Sequence, residues 1–441
     1  MLLRFAPMIY GPTVLFALGE GAVIPLFPVI AAELGADIAT AGLIASMLVV
    51  GQLCGNIPAG WLVARLGERI TMVVAGFLAL VGVAGLALAP ALWALTLAVF
   101  VIGLSASAFG LARHAFMTTR VPLEFRARAL SLLGGSFRLG MFAGPFAGAL
   151  LLGLTGTEAA AAWFFAACLV ACVLLVLLGP DPETRLNEES VPAGRGGSGD
   201  GGSAPADPGE TGAGEIGAGG ADTGEAISGG VTLPGERREG VFRTMARHRR
   251  VLSRLGLAAA SLSAVRAARQ VVMPLWGVSI GLDAQTISLV VGISGAIDFA
   301  LFYASGQVMD RFGRLWAVLP SMLLMGCGFL ALAFTHDLGQ AAMWYAMLAA
   351  VIGVGNGLSS GILLTLGADV APKGDPAPFL GSWRTLTDSG GAIAPVLFSG
   401  IAAISTLGVA TAAMGVIGLA GAYGFLRWVP RFVQRRPPGE G

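Results

Sequence analysis

The sequence predicts an all-α integral membrane protein: twelve transmembrane helices forming two six-helix repeats around a central cavity. Three observations carry that expectation. The 441 residues are 55% hydrophobic and only 12% charged, with a mean hydropathy of +0.79, whereas a soluble domain carries about 25% charged residues to cover its surface. A bilayer core takes about 20 apolar residues per helix, and the chain supplies such a stretch twelve times. The two sets of six repeat at a constant offset of 246 residues. The same composition excludes a disordered chain. With 27 basic and 26 acidic residues, no electrostatic case for nucleic acid exists.

The first six spans run 7–31, 39–64, 70–89, 91–116, 128–153 and 159–179. Span one is too long for a signal-peptide core and carries Glu20 at its centre, so it reads as a span and not a leader. The second six run 254–280, 285–309, 315–334, 339–366, 377–404 and 407–428. This divides the chain into an N-terminal half (1–180), a linker (181–250) and a C-terminal half (251–441). Gly194 to Gly230 is Gly, Ala, Asp, Glu and Ser with almost nothing to bury, which predicts a disordered linker. Its Gly197-Ser-Gly199-Asp-Gly-Gly202 has dinucleotide-fingerprint spacing but lacks the preceding strand that motif needs. The linker's end, Arg237 to Arg254, is basic with Val241, Phe242, Met245 and Val251 interspersed. It reads either as an interfacial segment on anionic lipid or as a solvated basic tail.

Arginine placement sets the orientation. Arg4, Arg65, Arg69, Arg120, Arg126, Arg128, the linker cluster, Arg311, Arg314, Lys373 and Arg431 fall on one side, while the opposite turns carry Asp37, Glu158, Asp283 and Asp337 without Lys or Arg. The positive-inside rule then places both termini and the linker in the cytoplasm, and the plasma membrane of a bacterium is the expected location. Cys54, Cys168, Cys172 and Cys327 all lie in apolar stretches and read as small packing residues.

The repeat is specific. Pro28 matches Pro274, Gly35-Ala-Asp37 matches Gly281-Leu-Asp283, and Thr40 matches Thr286. Gly60, Arg65 and Gly67 match Gly306, Arg311 and Gly313, and Gly135-Ser-Phe-Arg138 matches Gly381-Ser-Trp-Arg384. Only the connection between the fourth and fifth spans leaves the register. Parallel six-helix repeats predict a binding site at the repeat interface.

On these residues the chain resembles the major facilitator superfamily. The family's loop signature stands as Gly306-Gln-Val-Met-Asp310-Arg311-Phe-Gly313-Arg314, with a degraded first-half copy, Gly60-Trp-Leu-Val-Ala64-Arg65-Leu-Gly67-Glu68-Arg69. Span five carries Gly140-Met-Phe-Ala-Gly144-Pro145-Phe-Ala-Gly148, which is similar to the motif of the drug/proton antiporter branch. That pattern's arginine in span four would fall at Val99, a departure, while Gly103 is kept. The resemblance implies transport by alternating access, with the loop-signature Asp310 locking against the start of span five near Arg126 to Leu130. Ala64 can make no equivalent contact.

Ionisable groups at membrane depth are costly, so each is a functional candidate. They are Glu20, Arg138, Arg266, Arg269, Asp298, Arg384 and Asp388. Arg384 and Asp388, at i and i+4, can pair on one helix face. Asp298, 12 residues before Asp310 and so about 18 Å up the helix, shares its depth with Arg138, either as a structural ion pair or in a cavity role. Glu20 is the expected proton-coupling carboxylate, flanked by Gly19 and Gly21, which should leave it accessible. Its repeat counterpart, Arg266, is the expected partner across the cavity, in a coupling role or as a static bridge. Arg113 and His114 sit near the end of span four and read as interfacial anchors. His248 and His336 form no metal site. Gly357-Leu-Ser359-Ser-Gly361 has nucleophile-elbow spacing but lies in a small-residue apolar helix, where packing or pore lining is the reading.

No phosphate-binding loop supports ATP-driven pumping; no cofactor is expected, and the proton gradient is the expected energy source. The leading function is proton-coupled export of a small organic compound by a monomer in the bilayer. The alternatives are uptake or facilitated diffusion of an anionic or zwitterionic metabolite, and a transport-dead sensor, for which no signalling domain is visible. An enzyme is not expected.

Overall fold

The computed structural model describes the backbone of residues 2–120, 123–178, 247–372 and 377–433, and the side chains of 10–117, 132–178, 247–302, 304–372 and 379–433. The expected linker, up to residue 246, lies outside the described residues. Among them there is no strand. The elements are α1 (Leu2–Val23), α2 (Phe27–Glu33), α3 (Ile38–Ala87), α4 (Leu92–Arg120), α5 (Leu123–Thr155) and α6 (Ala159–Leu178), then α7 (Leu257–Ser279), α8 (Ala284–Phe312), α9 (Arg314–Ala333), α10 (Ala341–Leu358), α11 (Ile362–Val370), α12 (Ala377–Ile404) and α13 (Leu407–Phe432).

These supply the twelve expected spans. Span one is α1 and α2, joined by a 3₁₀ turn, Ile24–Leu26, where Pro25 and Pro28 cannot donate to a continuous helix. Spans two and three are the two arms of α3, which turns at Gly67 with φ 79° and ψ 170°, a conformation that only glycine adopts without strain. Span ten is α10 and α11, broken at Gly361, φ 75°. Sequence alone predicts this span as continuous; the Ser359-Ser-Gly361 run instead ends one helix and starts another. A short lead-in, Arg249–Val251, and a π turn, Leu252–Gly256, precede α7.

The 246-residue offset is a repeat of conformation as well as of letters. Asp37 caps α3 by accepting from the Thr40 amide at 2.8 Å, and Asp283 caps α8 by accepting from Thr286 at 3.0 Å. Gly35 and Gly281 share a positive φ (83° and 77°), as do Gly67 and Gly313 (79° and 94°). Close helix packing repeats too. In α5, Gly140, Gly144 and Gly148 lie against the α1 backbone from Val14 to Ala22; in α12, Gly390 lies against Ala260 of α7. Within a bilayer, where burial from water does not drive helices together, such close approach supplies the dispersion contact that does.

The halves meet along α5 with α8 and α3 with α12. Phe142 and Phe146 pack on Gly295 and Gly292, and the Ser46 and Ser399 hydroxyls are 3.2 Å apart. These contacts lie toward the side that carries Asp37 and Asp283. Large apolar side chains such as Trp93, Leu178, Phe334 and Ile404 face outward, as a lipid-facing surface requires.

A polar cavity between the repeats

Between the halves lies a cavity of about 640 Å³, within the range of small-molecule sites. It is closed toward the Asp37 and Asp283 side, where Ile24, Pro25, Met273 and Pro274 are buried. It opens toward the arginine-rich side, where Leu53, Asn56, Arg384 and Asp388 line it and are exposed to solvent. All seven intramembrane ionisable candidates line this one cavity.

Asp298 of α8 is the centre of the larger polar cluster. Arg138 of α5 approaches its Oδ1 at 3.6 Å and Arg269 of α7 its Oδ2 at 3.7 Å. Both separations exceed hydrogen-bond length, so these are loose ion pairs. The guanidiniums are held elsewhere: Arg138 donates to Ser360 Oγ at 2.9 Å and stacks on the Phe302 ring at 4.5 Å, and Arg269 donates to Ser294 Oγ at 3.0 Å. Arg266 donates to Asn356 Oδ1 at 3.0 Å, and Asn356 donates to Asp298 Oδ2 at 2.5 Å. Arg138 thus reaches from the N-terminal half to Asp298 and Ser360 of the other. The break in span ten serves this cluster. Its Asn356 and Ser360 face the arginines, and the freed carbonyls of Leu358 and Ser360 each accept from Ser305 Oγ at 3.0 Å. Irregular backbone at membrane depth is sustained where it borders a cavity and finds such partners.

A second cluster belongs to the N-terminal half. Glu20 is buried, and Arg113 of α4, also buried, is the charge that acts on it. The Arg113 guanidinium lies 5.4 Å from the Phe137 ring, and His114 is bonded through Nδ1 to the Gly110 carbonyl at 2.7 Å. Phe16 stacks on Phe109 at 4.6 Å and meets Phe165 edge-on, closing the apolar floor below. Arg384 and Asp388 form the expected i,i+4 pair at 3.3 Å.

Three expectations change. Glu20 does not pair with Arg266: repeat symmetry makes each face the fourth helix of its own half, so Arg113 is the charge that acts on Glu20, while Arg266 donates to Asn356. The Glu20 carboxyl is also buried, because Gly19 admits the Phe165 ring and Gly21 the Met141 backbone; the close approach is present, the accessibility is not. Arg113 and His114 are not interfacial anchors. Helix α4 continues to Arg120, which places both within the protein, each 6% exposed. Arg113, His114, Asn356, Ser294 and Ser360 are cavity-cluster residues that sequence reasoning did not select. A longer span four would have found the first two; uncharged Asn and Ser carry no comparable signal.

At the loop signature, Asp310 pairs with Arg314 at 3.2 Å, and Arg314 with Asp369 at 2.9 Å, which ties the α8–α9 turn to the end of span ten. In the degraded copy Arg69 donates to the Val176 and Leu177 carbonyls at 2.9 and 2.8 Å, capping α6, and Arg65 lies over Trp61 at 5.1 Å. The side chains of Arg126 to Leu130, the expected partners of Asp310, lie outside the described residues.

Two six-span repeats that enclose a charged cavity open to one side define a multi-pass membrane transporter, not an enzyme. The model of the Major Facilitator Superfamily matches residues 12–395, and the chain belongs to that family. No curated protein matches the chain by sequence. Among solved structures it is similar to a POT family transporter in complex with a thioalcohol-conjugated peptide, with a TM-score of 0.71 and 13% identity over 98% of this chain and 97% of that one. It is also similar to the xylose transporter XylE from E. coli in a partially occluded inward open conformation, with a TM-score of 0.63 and 13% identity over 96% and 98% of the two chains. At that identity the likeness is one of fold.

Proposed function

We propose that this transporter exports a small organic anion or zwitterion in exchange for protons. The observation that carries the reading is the charge of the cavity. Five arginines line it (Arg113, Arg138, Arg266, Arg269 and Arg384) against three carboxylates, Glu20, Asp298 and Asp388. Three of the arginines, Arg138, Arg266 and Arg269, are grouped around the single carboxylate of Asp298. A carboxylate or phosphate placed there would meet preorganised donors in a site shielded from bulk water, the condition under which charged hydrogen bonds are strongest. Because the arginine pairs with Asp298 are loose, a substrate anion can compete with it for them. Arg138 and Arg269 come from different halves, so a shared anion would also draw the halves together, as alternating access needs. The span-five resemblance supports export, and Glu20 and Asp298 are the proposed proton carriers.

The test is reconstitution into vesicles with an entrapped pH dye and an imposed pH gradient. Export by antiport predicts that a carried anion loaded on the side facing the arginine-rich loops dissipates the gradient as it leaves. Uptake with protons would reverse the sign, and facilitated diffusion would leave the gradient unchanged.

A further inference from the structure

At the arginine-rich end of the C-terminal half, three guanidiniums gather on one indole. The guanidinium carbons of Arg254, Arg427 and Arg431 lie 4.5, 5.2 and 5.3 Å from the centre of the Trp428 ring. Arg427 and Arg431 stand at the end of α13, and Arg254 in the π turn that leads into α7 and packs against α13. All three side chains are exposed, and among the described residues no carboxylate pairs with any of them. Three like charges around one ring repel each other. The aromatic face offsets part of that cost, and an anion bound among them would remove it.

The surface beside the cluster says which anion. Tyr423, on the Arg427 and Arg431 face of α13, and Leu426, three residues on and beside that face, are 68% and 51% exposed, and Leu257, the first residue of α7 and three residues past Arg254, is 62% exposed. The patch is therefore basic and aromatic where the spans end, and apolar and outward-facing just within the membrane. Free phosphate could satisfy the arginines but would leave the apolar strip unused. A molecule with an anionic head and acyl chains uses both. We infer that the seam between the end of α13 and the π turn before α7 is a binding site for an anionic phospholipid. Its headgroup phosphate sits among Arg254, Arg427 and Arg431 beside the Trp428 indole, and its chains lie along Tyr423, Leu426 and Leu257. The site adjoins α7, the helix that carries Arg266 and Arg269, and stands apart from the substrate reading above.

Native mass spectrometry of the full-length protein in detergent, titrated with phosphatidylglycerol or phosphatidylcholine, tests it. The site predicts that phosphatidylglycerol is retained in preference to phosphatidylcholine, and that Arg254→Gln weakens its retention about fivefold, as expected for one basic residue at an anionic surface. The triple variant Arg254→Gln, Arg427→Gln, Arg431→Gln should lose one bound phosphatidylglycerol per chain. Should the triple variant not fold, the Arg254→Gln titration decides alone. Equal retention of the two lipids, unchanged retention in the variants, or displacement of phosphatidylglycerol by millimolar inorganic phosphate would each overturn the assignment, the last by making it a free-anion site.

Discussion

Replacing Gly144 with alanine tests the seam that fixes Glu20 and Arg138 in one cavity. A methyl carbon at 144 would stand 2.5 Å from the Leu18 carbonyl oxygen and 2.7 Å from the Ala22 amide nitrogen. Both are backbone atoms of α1, so no side-chain rotation relieves the clash, and ordinary contact requires the helices to part by about 0.9 Å. A gap of that size forfeits a quarter to a half of each dispersion contact it opens, and Gly140, Gly148 and Gly21 lie on the same seam. Overpacking of this kind costs about 1–3 kcal/mol. Alanine also gains up to about 1 kcal/mol of helix propensity over glycine, so the proper reference is Gly135→Ala in the same helix, where nothing lies within 4 Å. Subtracting that control leaves the packing cost, or roughly 2–12 °C in melting midpoint at about 2–4 °C per kcal/mol. Thermal melts of the purified variants in detergent measure the difference. Gly390→Ala, whose methyl would meet the Ala260 carbonyl oxygen at 2.3 Å, should behave as Gly144→Ala does. A Gly144→Ala variant that melts with or above Gly135→Ala would show that close backbone approach does not hold this seam together.

Glu20→Gln should keep substrate exchange while abolishing accumulation driven by a pH gradient, as counterflow against gradient-driven uptake in vesicles will read; a variant that still accumulates in response to the gradient shifts the proton role to Asp298. By the lock that the family resemblance implies between Asp310 and the start of α5, Asp310→Asn should enlarge the population open to the arginine-rich side by up to about fivefold, the limit for an exposed ion pair, and labelling of cysteines placed along that opening reports it. Asp283→Ala should cost about 0.5–2 kcal/mol as a lost helix cap. Hydrogen bonds from Thr286 hold the Asp283 carboxyl below its usual range. Its contribution is therefore complete above the ordinary aspartate value of about 3.9 and disappears as pH falls through the lowered one. Melts at pH 7 should separate wild type from Asp283→Ala, and melts well below pH 3.9 should bring them together.

The span pattern was legible because hydropathy at bilayer length is a strong signal, and the repeat because Gly35, Gly67 and the Asp37 cap occupy backbone positions that few other residues satisfy. Where three-dimensional neighbours decide, the letters were silent. The break in span ten depends on Ser305 of another helix accepting the role of donor to two freed carbonyls. The partner of Glu20 depends on which face of α1 meets α4, and a repeat relation between positions 20 and 266 does not imply contact between them. The cavity charges were visible as costly residues in apolar stretches, whereas Asn356, which joins Arg266 to Asp298, is uncharged and carried no such mark. Arg113 was misplaced because the apolar pattern fades before α4 ends at Arg120.

The proposed transporter selects negative charge through the arginines around Asp298. Paired probes test it most directly: small carboxylates and their neutral amides, matched in shape, offered to vesicles containing wild type or Arg269→Gln. Among the probes carried by wild type the carboxylates should exceed their amides, and Arg269→Gln, which keeps a hydrogen-bond donor but loses the charge, should remove that preference. Equal transport of acid and amide by wild type, or an undiminished preference in Arg269→Gln, would contradict it.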